Sequence, residues 1–531
     1  MEASASEVEE AARREHRTRR RALGARIAAG TIRRSDAGGT ARASGSPTPR
    51  RTMTFLVHNS LTGRKEPFEP LEPERVRMYN CGPTVYSRAH IGNFRAYLFA
   101  DVLRRWLEHI GMEVVQVMNI TDVGHFTDDD EDGGEDKLEA RARREGVDPW
   151  KISEEYTRVF FEDLERLGCL PAAVYPKATD HIAEMLEMIE GLLASGHAYE
   201  RGGNVYFDVT RFDRYGRLSK NRVEDLDAGA RIAVNEEKRH PADFALWKSD
   251  PHHLMKWESR FGPDGFPGWH IECSAMARKH LGDRIDIHTG GEDNVFPHHE
   301  CEIAQSEAFT GEPFATYWMH TKFLQVDGGK MSKSLGNVYS IDDVVERGFE
   351  PRVLRYTLLR GHYRQPLNFT WEIMADSRKA LGGLDDLVGR LRGVCDGRGA
   401  AADEGAGEEL VAAAAGEFEA AMNDDLNTPR ALAALFGLGA PVREGRLGAR
   451  AAGASLGLFA AADAVLGIVD LGDGGPGGDP DDDAAIQALV DARREARAQR
   501  DFAEGDRLRD ELLGRGILLE DTADGTVWRR R

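Results

Sequence analysis

Five consecutive residues, His298-His299-Glu300-Cys301-Glu302, each carry a potential metal donor, and they follow Phe296-Pro297. If the proline opens a helix, His298 and Glu302 fall four residues apart and point the same way. One imidazole and one carboxylate on a single helical face make half of a zinc site. The other half must come from distant sequence, and Cys81 and Cys273 are the natural candidates. A polar, hydrogen-bonded helix start is the plainer reading of the segment taken alone.

Two further segments carry chemistry. Cys81-Gly82-Pro-Thr-Val-Tyr-Ser-Arg-Ala-His90-Ile-Gly92-Asn93 follows a short apolar run and opens a long helix-like stretch. A helix N-terminus offers unpaired N–H groups and the positive end of the dipole to an anion. His90 can add a donor for a phosphate, and Gly92 lets a flat base lie against the backbone. An ordinary capping turn competes with that reading. Far downstream stands Lys330-Met331-Ser332-Lys333-Ser334, flanked by Asp327-Gly-Gly and Leu-Gly-Asn. Two lysines on a glycine-flanked loop suit a triphosphate whose charge shifts as pyrophosphate departs. A basic surface turn is the alternative.

The elements needed to position these segments are legible. Residues 76–80 read as a strand, and residues 93–110 carry Phe94, Tyr97, Leu98, Val102 and Trp106 at helical spacing. Residues 113–120 and 284–288 are further buried strands, the latter running into a turn at Thr289-Gly290-Gly291. Strand–turn–helix alternation implies an α/β, Rossmann-type parallel sheet with crossover helices. The acidic run 128–136 reads as a solvated loop. Residues from about 170 to 260 read as an insertion between two halves of the sheet. After 341 the chain turns helical, and the Gly/Asp/Pro-rich stretch 471–485 reads as a linker.

Composition narrows the class. The chain has 531 residues, too many for one core, so three or four domains are expected. Five scattered cysteines argue against a disulfide framework and fit a reducing cytosol. No apolar run approaches the ~20 residues of a membrane span, and no signal-peptide core is present. The net charge of −20 means that any RNA partner must be met by local basic patches. Residues 1–52, rich in Arg, Ala and Ser, read as a disordered extension ahead of a natural start at Met53. That extension is expected to be dispensable, or an upstream start-site artefact.

Taken together, His90-Ile-Gly-Asn93 and Lys330-Met-Ser-Lys-Ser334 resemble the paired signatures of class I aminoacyl-tRNA synthetases. The intervening segments narrow the resemblance to cysteinyl-tRNA synthetases. They are Cys81-Gly-Pro-Thr-Val-Tyr, Asn119-Ile-Thr-Asp122, Gly268-Trp-His-Ile-Glu-Cys-Ser-Ala-Met276, Asp286-Ile-His-Thr-Gly-Gly-Glu-Asp293 and Phe296-Pro-His-His-Glu-Cys-Glu302. The resemblance implies one Zn2+ per chain at Cys81, Cys273, His298 and Glu302, with a further position open to the thiolate of cysteine. It implies an ATP site, with Mg2+, over Gly82, His90, Gly92, Asn93, Gly290, Gly291, Asp293, Lys330, Met331, Ser332, Lys333 and Ser334. His90, Lys330 and Lys333 are the implied catalytic groups. Trp269 resembles a wall of the amino-acid pocket, with a core tryptophan as alternative. Thr121 and Asp122 resemble ammonium-holding positions, with a strand-end turn as alternative.

The implied reaction is ATP-dependent ligation of L-cysteine to tRNA(Cys) in the cytoplasm, through cysteinyl-adenylate, with no membrane involved and monomer or homodimer left open. The implied architecture has six parts. They are the extension 1–52, a catalytic domain 53–340 with its insertion, a stem-contact segment 341–385, a helical bundle 386–470, the linker 471–485 and an α+β anticodon-binding unit 486–531. Segment 417–432 resembles the bundle's opening. In the last unit, Arg493, Arg494, Arg497 and Arg500 could meet phosphate, and Trp528 could stack on a base.

Two residues depart from the family pattern. Asn93 stands where the general class motif has His, and Cys301 stands where many family members have Asn. Cys301 lies three residues from His298 and so competes with Glu302 for the metal. Two rival readings remain: a cysteine ligase acting on a small amino-sugar, which would lack residues 386–531, and a non-catalytic zinc RNA-binding protein.

Overall fold

The computed structural model describes residues 54–124, 136–222, 237–332, 335–397, 403, 405–471, 480–499, 501–515, 517–522 and 525–530. The extension 1–52, the acidic run up to residue 135 and most of the linker lie outside the described residues.

Four parallel strands form the centre: β1 (Arg75–Asn80), β2 (Glu113–Met118), β3 (Ile285–Gly291) and β4 (Ala315–Thr321), in the order β4-β3-β1-β2. Val76, Met78, Ile285, Ile287 and Met319 are fully buried, as expected of strands covered on both faces. The segment Thr289-Gly290-Gly291, read above as a turn, continues β3 and stays paired with β4 through Gly291. The chain runs from β1 outward to β2 and then returns to the other side of β1. The strand order therefore reverses between β1 and β3, which is where open α/β sheets form their ligand crevice.

Three helices frame that crevice. α1 (Ile91–His109) starts from the turn after β1 and buries Ile91, Phe94, Leu98, Val102 and Trp106 at helical spacing. α2 (Trp269–Leu281) precedes β3, and α3 (His298–Thr310) follows it. Between β2 and α2 lie the helices Lys137–Glu145, Pro149–Arg166 and Ile182–Ala194 and a five-stranded antiparallel sheet. That sheet runs to Pro267, so the insertion extends past the expected end near 260.

The C-terminal half is helical, through Trp371–Cys395, Glu408–Asn423, Thr428–Phe436 and Ala449–Leu466. The boundary expected at 385/386 falls inside one helix. Leu381, Leu384, Leu387, Val388 and Leu391 share its buried face and carry it through the Gly382-Gly383 pair. Among the described residues, Ala449–Leu466 is the one helix long and apolar enough to cross a membrane; it buries Phe459, Ala462, Val465 and Leu466 in the protein core. The last unit pairs helices Pro480–Ala498 and Phe502–Gly514 with a hairpin of Ile517–Thr522 and Gly525–Arg530. The helix starts at Pro480, inside the span read as linker.

Candidate active site

α3 starts directly after Pro297, and its 100° step per residue separates the five donors of the opening motif. His298 and Glu302 share a face, with His298 Nε2 3.1 Å from Glu302 Oε1. Cys81, the first residue past β1, is held by its N–H donating to the Thr289 carbonyl, which prolongs the β1–β3 ladder. Its sulfur lies 3.7 Å from Glu302 Oε1. Cys273, in the second turn of α2, has its sulfur 3.5 Å from His298 Nε2. The four donor atoms lie within 4.8 Å of one another. Zinc bonded at about 2.0–2.3 Å spaces tetrahedral donors about 3.3–3.8 Å apart, so two thiols, an imidazole and a carboxylate at these separations fit that ion.

Of the remaining three donors, Cys301 and Glu300 go elsewhere and His299 borders the cluster. Cys301 is buried with its sulfur 3.4 Å from the Tyr215 hydroxyl and belongs to neither donor group among the described residues. Glu300 accepts the N–H groups of Leu218 and Ser219 at 3.0 and 2.7 Å. His299 turns toward Cys81, 3.2 Å away, and toward His320 at 2.8 Å. A second donor group, Cys81, His288, His299 and Glu302, shares two members with the first.

Electrostatics favour a cation here. Burial would raise the Glu302 carboxyl, but His288 and His298 bring it down to about 2. Burial would likewise raise the Cys273 thiol, and the hydrogen bond with Cys81, aided by His298, brings it down to about 6. Cys81 itself is pushed up by burial and by Cys273. Burial would lower His298, yet Glu302 and Cys273 hold it up at about 10. Burial lowers His320 to about 3 and pushes His299 well below the usual imidazole range.

Sequence reasoning missed the residues that aim the donors. His288 Nε2 is 2.8 Å from Glu302 Oε2, and His270 Nδ1 is 2.9 Å from His298 Nδ1. Both histidines stand inside quoted motifs, which was the available signal. Trp269 is half-buried and stacks on His298 at 4.1 Å, which places it at the donor cluster. Beside Cys273, Glu272 is fully buried, and burial raises its carboxyl well above the usual range.

At the other signature, His90 caps α1. Asn93 donates its N–H to His90 Nδ1 at 3.2 Å, while Asn93 Oδ1 accepts the His90 N–H at 3.0 Å. With Nδ1 accepting, the neutral ring carries its proton on Nε2. Asn93 therefore has a capping duty that its amide fulfils. A Cβ on Gly92 would lie 3.0 Å from His90 Nδ1 and 3.2 Å from the Met331 sulfur, so the two signatures meet at this glycine. Lys330 is exposed on the short strand Gly329–Lys330. Asn337 braces the loop, accepting the Ser332 N–H at 2.8 Å and donating to the Lys330 carbonyl at 3.1 Å. Lys333 and Ser334 lie outside the described residues.

Several residues expected at the ligands also have protein neighbours that fix them. A Cβ on Gly82 would fall 1.8 Å from the Asn119 carbonyl oxygen, and one on Gly290 2.7 Å from Asn294 Nδ2 and His299 Cε1. A Cβ on Gly291 would fall 2.2 Å from Asp293 Oδ1, in the turn Glu292–Val295. These glycines answer to chain packing, whatever lies beyond it. Asp122 is buried, and its carboxylate accepts the Thr179 N–H and hydroxyl at 3.0 and 2.7 Å. Thr121 takes a bond from Asn119 Nδ2 at 3.0 Å. Arg493, read as part of a phosphate-facing surface, is buried. Arg500 and the Trp528 side chain lie outside the described residues.

The reversed parallel sheet, with its histidine turn and lysine loop meeting at Gly92, defines a class I aminoacyl-tRNA synthetase fold. Residues 67–379 match the family described as tRNA synthetases class I (C) catalytic domain, and 417–470 match the DALR domain. Residues 479–529 match the cysteinyl-tRNA ligase anticodon binding domain. The chain is 45% identical over 491 residues to the cysteine–tRNA ligase of Chlorobaculum tepidum, covering 90% of this chain and 99% of that one. It is 46% identical over 490 residues to that of Symbiobacterium thermophilum, covering 90% and 100%. A methionyl-tRNA synthetase of Mycobacterium tuberculosis, solved with methionyl-adenylate, shares the fold with a TM-score of 0.53 at 15% identity, over 74% of this chain and 89% of that one.

The chain belongs to the cysteine–tRNA ligase family, and its activity is the charging of tRNA with cysteine. The matched anticodon domain speaks against the amino-sugar ligase.

Proposed function

We propose that Cys81, Cys273, His298 and Glu302 hold one zinc ion per chain and that this centre is how the enzyme selects cysteine. The convergence of their four donor atoms within 4.8 Å carries the reading. Bound there, zinc supplies a soft Lewis acid that takes a thiolate far better than a hydroxyl, which shape alone separates poorly. The surrounding residues do the rest. His288 and His270 orient Glu302 and His298, and Trp269 and Thr121 bound the amino-acid pocket.

In the first step the cysteine carboxylate oxygen forms a bond to the ATP α-phosphorus, and the bond to the pyrophosphate oxygen breaks. This transfer needs positioning and charge stabilisation more than an acid or base. The Nε2–H of His90 and the ammonium groups of Lys330 and Lys333 are the donors for that charge, with Mg2+ accompanying ATP. Gly82, Gly92, Asn93, Gly290, Gly291, Asp293, Met331 and Ser332 line the nucleotide side. In the second step a terminal ribose hydroxyl of tRNA(Cys) attacks the adenylate carbonyl, and AMP leaves. The C-terminal unit, from residue 486, reads the anticodon. Free cysteines suit a reducing cytosol.

The test is ATP–pyrophosphate exchange with cysteine and with serine, before and after chelation, alongside metal analysis. One zinc per chain, exchange lost on chelation and regained with zinc, and serine rejected are the expected results. A metal-free enzyme that still exchanges with cysteine would sink the reading.

A further inference from the structure

The histidine turn and the lysine loop are joined a second time, away from Gly92. The N–H of Ile91, an orphan donor in the first turn of α1, donates to the Tyr339 carbonyl at 2.9 Å. Tyr339 lies just past the lysine loop, and Ser340 then caps the helix Ile341–Glu346 in a reciprocal box with Asp343.

Around this seam stand two arginines and two aspartates. Arg88, two residues before His90, sends Nε and Nη2 to the two oxygens of Asp163, at 2.8 Å each, and Nη1 to Asp342. Arg166 Nη1 bridges Asp163 Oδ1 at 3.0 Å and Asp342 Oδ1 at 2.7 Å. Asp163 and Arg166 both belong to the helix Pro149–Arg166, and Asp342 is the second residue of the helix Ile341–Glu346. The quartet thus ties three chain segments that are remote in sequence, with two positive and two negative charges in mutual contact. Bidentate Arg–carboxylate geometry fixes orientation as well as distance.

We propose that Arg88, Asp163, Arg166 and Asp342 are positioning residues. Their quartet sets the register of the lysine loop against the His90 turn. Arg166 and Asp342 are 31% and 46% exposed, so their pair adds little to global stability. Its effect falls on geometry, because a misplacement of about 1 Å costs on the order of a hundredfold in rate. The pairs of Arg158 with Glu155 and Glu162 lie on the same helix, are more than half exposed and, among the described residues, join nothing beyond it. They provide the internal control. The inference rests on the reading of His90 and Lys330 as ATP-facing groups.

The experiment is pyrophosphate exchange by the full-length, zinc-loaded chain carrying Asp342→Asn, Arg166→Met, both, or Arg158→Met. Each of the first two should lower kcat about tenfold. The KM for cysteine should stay within about twofold and the zinc content should be unchanged. The double variant should be no worse than the worse single, because both break one link. Arg158→Met should match the parent. A kcat within about twofold of the parent in both single variants, or losses that multiply in the double, overturns the proposal. Should Asp342→Asn not fold, Arg166→Met decides by the same criterion. Lys330→Ala runs alongside: retained exchange there refutes the ATP-facing reading, whereas its loss with unaffected quartet variants refutes the quartet alone.

Discussion

His288 on β3 holds Glu302 on α3 by a 2.8 Å bond between Nε2 and Oε2, with both side chains fully buried. Because one carboxylate oxygen is committed to His288, the other, Oε1, is the one that faces His298 and Cys81. A strand residue therefore decides which way a helix residue aims. Replacing His288 by Leu leaves that oxygen without its donor and lets the carboxylate turn. Metal affinity should fall about 10–100-fold, while excess zinc restores exchange. Competition with a chromophoric chelator measures it, and an unchanged affinity would count against the orienting role.

Cys301 and Glu302 are neighbours in sequence with opposite surroundings. Cys301 meets Tyr215 in the apolar cluster that includes Ile303 and Phe314, whereas Glu302 meets three histidines. Cys301→Ala should keep one zinc per chain and cost about 1–2 kcal/mol through the lost buried sulfur. Glu302→Ala should lose the metal. Metal analysis of the two purified variants decides between them. Zinc kept without Glu302 but lost without Cys301 would reverse the assignment.

That pair also marks where sequence reading ends. The spacing of His298 and Glu302 is legible because four residues on a helix make one face. Which of Cys301 and Glu302 turns inward depends on where the helix packs, and Tyr215, supplied by the insertion, settles it. Strands β1 to β3 and helix α1 were legible because their apolar residues repeat at the strand and helix periods. His288 and His320 were not, since alternation along a strand does not reveal what lies across each face. The Gly82, Gly290 and Gly291 constraints are long-range or turn contacts that no local pattern encodes. The bond between Thr179 and Asp122 was not legible either, because the two lie 57 residues apart. Arg493 looked solvated because its helix is rich in charge, yet the fold buries it.

A buried ion pair, Asp101 with Arg355, is one of the links that dock the helical C-terminal half to the catalytic domain. Asp101 on α1 accepts from Arg355 at 2.6 Å and from Arg105 at 2.8 Å, while Arg355 also donates to the carbonyls of Leu466 and Leu167. Arg355 thus spans the sheet side, the end of the helix Pro149–Arg166 and the end of Ala449–Leu466. Burial would raise the Asp101 carboxyl, but Arg355 and Arg105 outweigh it and hold it below the usual value. A folded-state value below the unfolded one, about 3.9, means that the contribution is complete above that pH. It is lost as pH falls through the folded value. Asp101→Asn leaves the Arg355 guanidinium buried without its counter-charge, which should cost about 3–5 kcal/mol of docking stability at pH 7. The urea midpoint of the variant should then lie well below the parent's at pH 7, and the gap should narrow as pH drops below about 4, where the unfolded parent takes up the Asp101 proton while the folded parent still resists it. Urea unfolding at several pH values, followed by tryptophan fluorescence, reads both effects. Equal midpoints at pH 7, or a gap that widens in acid, would show that the ion pair does not hold the bundle in place.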